Sequence, residues 1–198
     1  MTGTAARLRR RGFLLEYLSM AWMTLEVAVA IAAGVAAKSI ALLGFGLDSV
    51  IELVAGATVI WELRGADRER ERSATRFIGV TFFLLAAYVA VEATRDLLTH
   101  ARPDRSLPGL AITVAALIVM PALAAGKRRV GRALNNRTLL ADAAETSFCA
   151  LLSAATILGL GLNAVFGWGW ADPLAGLVIA GLAFREGLET WEGGDQRD

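Results

Sequence analysis

Asp48 and Glu52 lie four residues apart in an otherwise apolar stretch, and Glu145 and Cys149 share the same spacing in a second one, with Asp142 three residues before Glu145. In a helix, positions i and i+4 stand on one face with Cβ atoms about 6 Å apart, so each stretch presents a stripe of carboxylate or thiol groups. An ionisable side chain in hydrocarbon costs a few kcal/mol or more, so it faces a protein interior or a wet cavity. If the two stripes meet, the four groups cannot all be charged without a cation or protons among them. A divalent metal held by deprotonated ligands and released as they reprotonate links metal movement to proton movement. No covalent chemistry is expected, and the chain does not read as an enzyme.

Depth along the helices sets how the stripes could pair. Counted at 1.5 Å per residue from Arg64, Glu52 lies about 18 Å deep and Asp48 about 24 Å; counted from Arg137, Glu145 lies about 12 Å and Cys149 about 18 Å deep. The expected pairs, Glu52 with Glu145 and Asp48 with Cys149, each differ by about 6 Å, which one tilt would remove. Asp142 is expected to support the site from the cytoplasmic side, as a neighbouring or approach-path acid. Glu26, in the first apolar stretch, is expected on a proton path or in a polar contact. Asp172, before Pro173, reads as a helix-capping acid. Glu92 pairs with Arg95 one turn on, and His100, the only histidine, reads as a solvated loop residue.

The elements that must hold these groups are membrane helices. Of 198 residues, 56% are apolar, and the mean hydropathy is +0.52. That excludes a disordered chain and is too apolar for an ordinary soluble domain. A single cysteine excludes a disulfide scaffold. A net charge of +1 gives no reason to expect nucleic acid. Stretches of about 20 apolar residues cross a bilayer as helix, and six qualify: 13–37, 39–63, 77–98, 107–125, 138–166 and 171–188. The expected fold is therefore all-α, one six-helix transmembrane bundle over 1–198, with the lipid bilayer as its first partner. Arginines gather before the first span (Arg7, Arg9, Arg10, Arg11), between the second and third (Arg64, Arg68, Arg70, Arg72, Arg76) and, with Lys127, between the fourth and fifth (Arg128, Arg129, Arg132, Arg137). By the positive-inside rule both termini are cytoplasmic, with Trp168 and Trp170 in an outer aromatic belt and Tyr17, Trp61 and Trp191 in an inner one.

The segments SIALLGFGLDSVIE (39–52), ADAAETSFC (141–149) and WADPLA (170–175) resemble the transmembrane domain of the cation diffusion facilitator family. The resemblance implies a multi-pass plasma-membrane protein that exports a divalent metal in exchange for protons by alternating access. The metal is a transported substrate and no permanent cofactor is expected. Zinc is the usual ion; cadmium, cobalt, iron and manganese are alternatives. The family's paired ligand positions fall on Asp48 and Glu52 and on Glu145 and Cys149. The second pair departs from the usual histidine and aspartate, adding charge at one position and softness at the other. No counterpart of the family's C-terminal cytoplasmic domain is expected, so any homodimer is expected to form through the membrane helices, with Gly44, Gly46, Gly56, Gly159 and Gly161 as candidate packing positions. Two other classes remain open on the residues alone: a non-transporting membrane interaction or regulatory protein on this scaffold, and a proton or cation channel.

Overall fold

A computed structural model describes the backbone of residues 2–63, 68–101 and 103–195 and the side chains of 6–61, 79–101, 103–136, 139–189 and 191. The side chains of the arginines between the second and third expected spans, and that of Arg137, lie outside these, as does Arg102. Six helices make up the described chain: α1 (Thr2–Ala37), α2 (Ile40–Leu63), α3 (Arg68–Thr99), α4 (Leu107–Leu134), α5 (Arg137–Phe166) and α6 (Ala171–Asp195). All six expected apolar stretches are helical. Four helices run well past them: α1 and α3 begin earlier, and α4 and α6 end later. The extensions of α1 and α4 are rich in arginine, a strong helix former even where no lipid covers it. Pro121, expected near the end of its span, is followed by more than three further turns of α4.

Tight connections set the order of the bundle. The α1–α2 turn passes through Lys38 in the left-handed region (φ 53°). Between α4 and α5, Asn135 closes one helix with φ 51°, and the Asn136 side chain accepts from Leu139 N at 2.8 Å to open the next. Gly167, also left-handed (φ 68°), ends α5. By length and apolar composition α1, α2, α4 and α5 suffice to cross a membrane. α3 packs along α6, and α2 sits centrally against α1, α3, α5 and α6.

The bundle's polarity suits hydrocarbon. Large apolar side chains such as Leu84, Val91, Ile118, Leu158 and Val178 point outward, whereas Glu16, Glu26, Asp48, Glu52, Lys127 and Asp142 are buried. Trp168 and Trp170 are exposed and stack at 5.3 Å beyond α5. Glycine permits the close approach of helices at two seams beside the buried acids. A Cβ on Gly46 would stand 2.9 Å from the Ile31 side chain, and one on Gly159 would stand 2.8 Å from Ala175. These glycines draw α2 onto α1 and α5 onto α6 within the chain. Gly44 and Gly56 likewise face neighbours of the same chain, while Gly161 meets open space.

The start of α2 is tied down by Asp172. Its carboxylate accepts from Ser39 Oγ at 2.5 Å and from Ala41 N at 3.4 Å, while Ser39 Oγ accepts from Leu42 N at 3.1 Å. Asp172 does lie in the first turn of α6, but its charge is directed at the N-terminus of α2, where free N–H groups and the helix dipole favour an anion.

Candidate metal centre

The close approach at Gly46 places the middle of α1 against the acidic turn of α2, and α5 completes the third wall. Ligand atoms of Glu26 (α1), Glu52 (α2) and Cys149 (α5) all lie within 4.8 Å of one another, and all three residues are buried. Asp48 is fully buried one turn from Glu52. Neither oxygen of Asp48 or Glu52 has a hydrogen-bond partner at ordinary geometry, and the weak donor beside both is the Cys149 thiol. Glu26 is different. One of its oxygens accepts from Trp22 Nε1 and the other from Ser49 Oγ at 3.1 Å, leaving each oxygen a free lone pair.

Of the two expected pairs, Asp48 and Cys149 lie together, while Glu52 and Glu145 do not join one close set. Glu52 lies opposite Cys149, the residue at its own uncorrected depth of about 18 Å, and Cys149 thus stands between Glu52 and Asp48. Glu145 is half-buried, one turn nearer the N-terminal end of α5, and does not join the close set. Its electrostatic neighbours are Asp142, Glu186, Lys127 and Asp48. Of the four expected ligands, the structure brings Glu52 and Cys149 together with Asp48 adjacent, and it adds Glu26, which the sequence reading assigned to a proton path.

Asp142 belongs to a second cluster. Lys127 Nζ lies 2.5 Å from Asp142 Oδ2 and 3.2 Å from Glu16 Oε2, and it donates to Thr146 Oγ1 at 3.2 Å. These ion pairs are close by distance, although the Glu16 oxygens and Asp142 Oδ2 find no donor at hydrogen-bond angles. The triad links α1, α4 and α5. Lys127, counted in the sequence as a marker of the cytoplasmic connection, is fully buried in α4. The sequence shows it only as one cation in a basic run. Helix α4 continues past Ala125 and turns this one side chain inward, while Arg128 stays exposed and donates to Ser147 Oγ at 2.9 Å.

Sequence reasoning also passed over Glu16 and Glu186. Glu16 had the same signal as Glu26, an acid inside an apolar stretch. Glu186, half-buried on α6, acts electrostatically on Asp48 and Glu145, but its place between Arg185 and Glu189 makes it look like a solvated end. Arg185 and Glu189 do form an exposed pair at 2.7 Å, as Glu92 and Arg95 do at 3.3 Å.

Chemically, the centre offers two buried carboxylates and a thiol, with a third carboxylate a turn away. That is a donor set for a divalent cation of borderline softness. Residues 17–192 match the cation efflux transmembrane domain. The chain is 27% identical over 142 residues to transmembrane protein 163 of Xenopus laevis, covering 70% of this chain and 50% of that one. It is 27% identical over 152 residues to an uncharacterised transporter of Synechocystis sp., covering 71% and 49%. Similarity to a cadmium, cobalt and zinc/H(+)-K(+) antiporter of Bacillus subtilis is 30% over 113 residues, covering 57% of this chain and 36% of that one. The chain thus spans half or less of the length of these relatives.

Proposed function

The chain belongs to the cation efflux family, and from that premise we propose that it exports a divalent transition metal, zinc first among them, in exchange for protons. The observation that carries this reading is the pair Asp48 and Glu52, wholly buried carboxylates without a hydrogen-bond partner at ordinary geometry on a helix long and apolar enough to span a bilayer. Uncompensated buried charge is too costly to keep for structure alone, so the pair calls for protons or a cation. Cys149 beside Glu52 favours zinc or cadmium over magnesium or calcium. The antiporter of Bacillus subtilis, named for cadmium, cobalt and zinc, supports the same ion class.

In the proposed cycle, metal reaches the centre past Glu145 and Asp142 from the cytoplasmic side and displaces protons from the ligands. Rocking of the helices then opens the site outward, where protons release the ion. The arginine asymmetry supports a plasma-membrane orientation with both termini inside.

Flux into proteoliposomes tests the reading. Purified protein should move zinc, cadmium or cobalt under an imposed proton gradient, and changing Asp48 and Glu52 together to alanine should abolish coupled movement. No flux of zinc, cadmium, cobalt, iron or manganese in either gradient direction would overturn it. Persistent coupled flux in the double variant would overturn the site.

A further inference from the structure

Glu26 is the acid that the two-stripe picture leaves over, and three observations point to one role for it. Its carboxylate, with those of Glu52 and the thiol of Cys149, forms a buried group of ligand atoms within 4.8 Å of one another. Glu52, 3% exposed, gives that group one oxygen, and neither of its oxygens accepts a hydrogen bond of ordinary geometry. Trp22 Nε1 and Ser49 Oγ each donate to one Glu26 oxygen, the pattern of outer donors that orient a ligating carboxylate and leave its second lone pairs free.

We infer that Glu26 is a direct metal ligand, so that the transported ion is held between α1, α2 and α5 by two carboxylates and a thiolate. This deepens the transport reading and rests on it. The dimensions fit a small borderline ion. Zinc bonds of about 2.0–2.2 Å to oxygen and 2.3 Å to sulfur put tetrahedral ligand atoms about 3.5 Å apart, so a set within 4.8 Å need close by no more than about 1.3 Å. Glu145, a turn away on α5, then serves the approach to the ion, and α1 takes the ligand position that α5 leaves empty. A site spanning three helices also ties α1 to the loaded state. Asp48, one turn from Glu52, is the nearest remaining carboxylate on α2 for the fourth position.

Cadmium titration of the purified full chain, read by the ultraviolet charge-transfer band of a cadmium–thiolate bond, tests this apart from transport. Wild-type protein should show the band, and Cys149→Ser should lose it. Glu26→Gln keeps an acceptor for the indole of Trp22 and presents its amide N–H to Ser49 Oγ, which can accept it, while weakening the ligand, and should lower cadmium and zinc affinity by at least about tenfold with an unchanged melting profile. Glu26→Cys supplies a second thiolate, so the band per bound cadmium should roughly double. Affinity within about twofold of wild type in Glu26→Gln, or an unchanged band in Glu26→Cys, would overturn the inference. Wild-type flux together with such indifferent Glu26 variants removes only this ligand assignment. A wild-type chain that neither binds nor moves metal removes the transport reading with it.

Discussion

Asp48 and Glu52 are kept at a cost, and that cost can be measured. A buried polar group without a partner costs about 1–3 kcal/mol, and more when charged. Asp48→Asn and Glu52→Gln should therefore leave the metal-free protein as stable as wild type or up to a few kcal/mol more stable, while abolishing coupled flux. Thermal melting in detergent beside proteoliposome flux checks both halves; lower stability would mean that the carboxylates hold the fold. Cys149 sets preference at the same scale. Cys149→Asp should retain transport but shift selectivity from cadmium and zinc toward manganese, read as the ratio of competing ion uptakes. Unchanged selectivity would make the thiol a packing group. The residue types at this centre were legible in the sequence, because acids and a cysteine stand out against apolar neighbours. Their pairing was not: the 6 Å ambiguity between Glu52 meeting Glu145 and Glu52 meeting Cys149 is one helical turn, and only the relative seating of α2 and α5 resolves it.

Between elements, the Glu16–Lys127–Asp142 triad connects α1, α4 and α5. A buried ion pair is weak evidence for net stability, yet breaking it from one side leaves unpaired charge at about 3–5 kcal/mol. Lys127→Met should therefore lower the melting temperature sharply. Adding Glu16→Gln and Asp142→Asn should restore most of it, since the three changes are coupled. If Lys127→Met melts like wild type, the triad does not fasten these helices. Helix existence was legible throughout, because each of the six apolar stretches is helical. Helix ends were less so, since apolar length marks where hydrocarbon is met and not where backbone hydrogen bonding stops. The inward turn of Lys127 follows from that difference: α4 outlasts its apolar stretch and carries one cation into the interface with α1 and α5.

For the whole molecule, a lipid-facing apolar surface surrounds a charged interior, the reverse of an ordinary soluble domain. Sidedness is the prediction at this scale. In a Cys149→Ser background, His100→Cys and Trp168→Cys should react with a membrane-impermeant maleimide from outside intact cells, and Arg129→Cys should react only after permeabilisation. The opposite pattern would invert the proposed export direction. These positions are exposed and stand at opposite ends of the bundle.

Sequence alone determined the class of molecule: six helices, because hydrocarbon forces backbone groups to pair within each apolar stretch, and an ionisable cluster, because acids in such stretches must face inward. Family membership was also readable there, from residues 39–52, 141–149 and 170–175. Tertiary structure decided which acids share a point in space. Glu26 joins Glu52 and Cys149, Glu145 stands a turn away, Asp142 is taken up by Lys127, and Asp172 reaches across to α2. Each outcome depends on how one helix is rotated and seated against another, set by small residues such as Gly46 and Gly159. Periodicity within a single helix fixes its face, but not what that face meets.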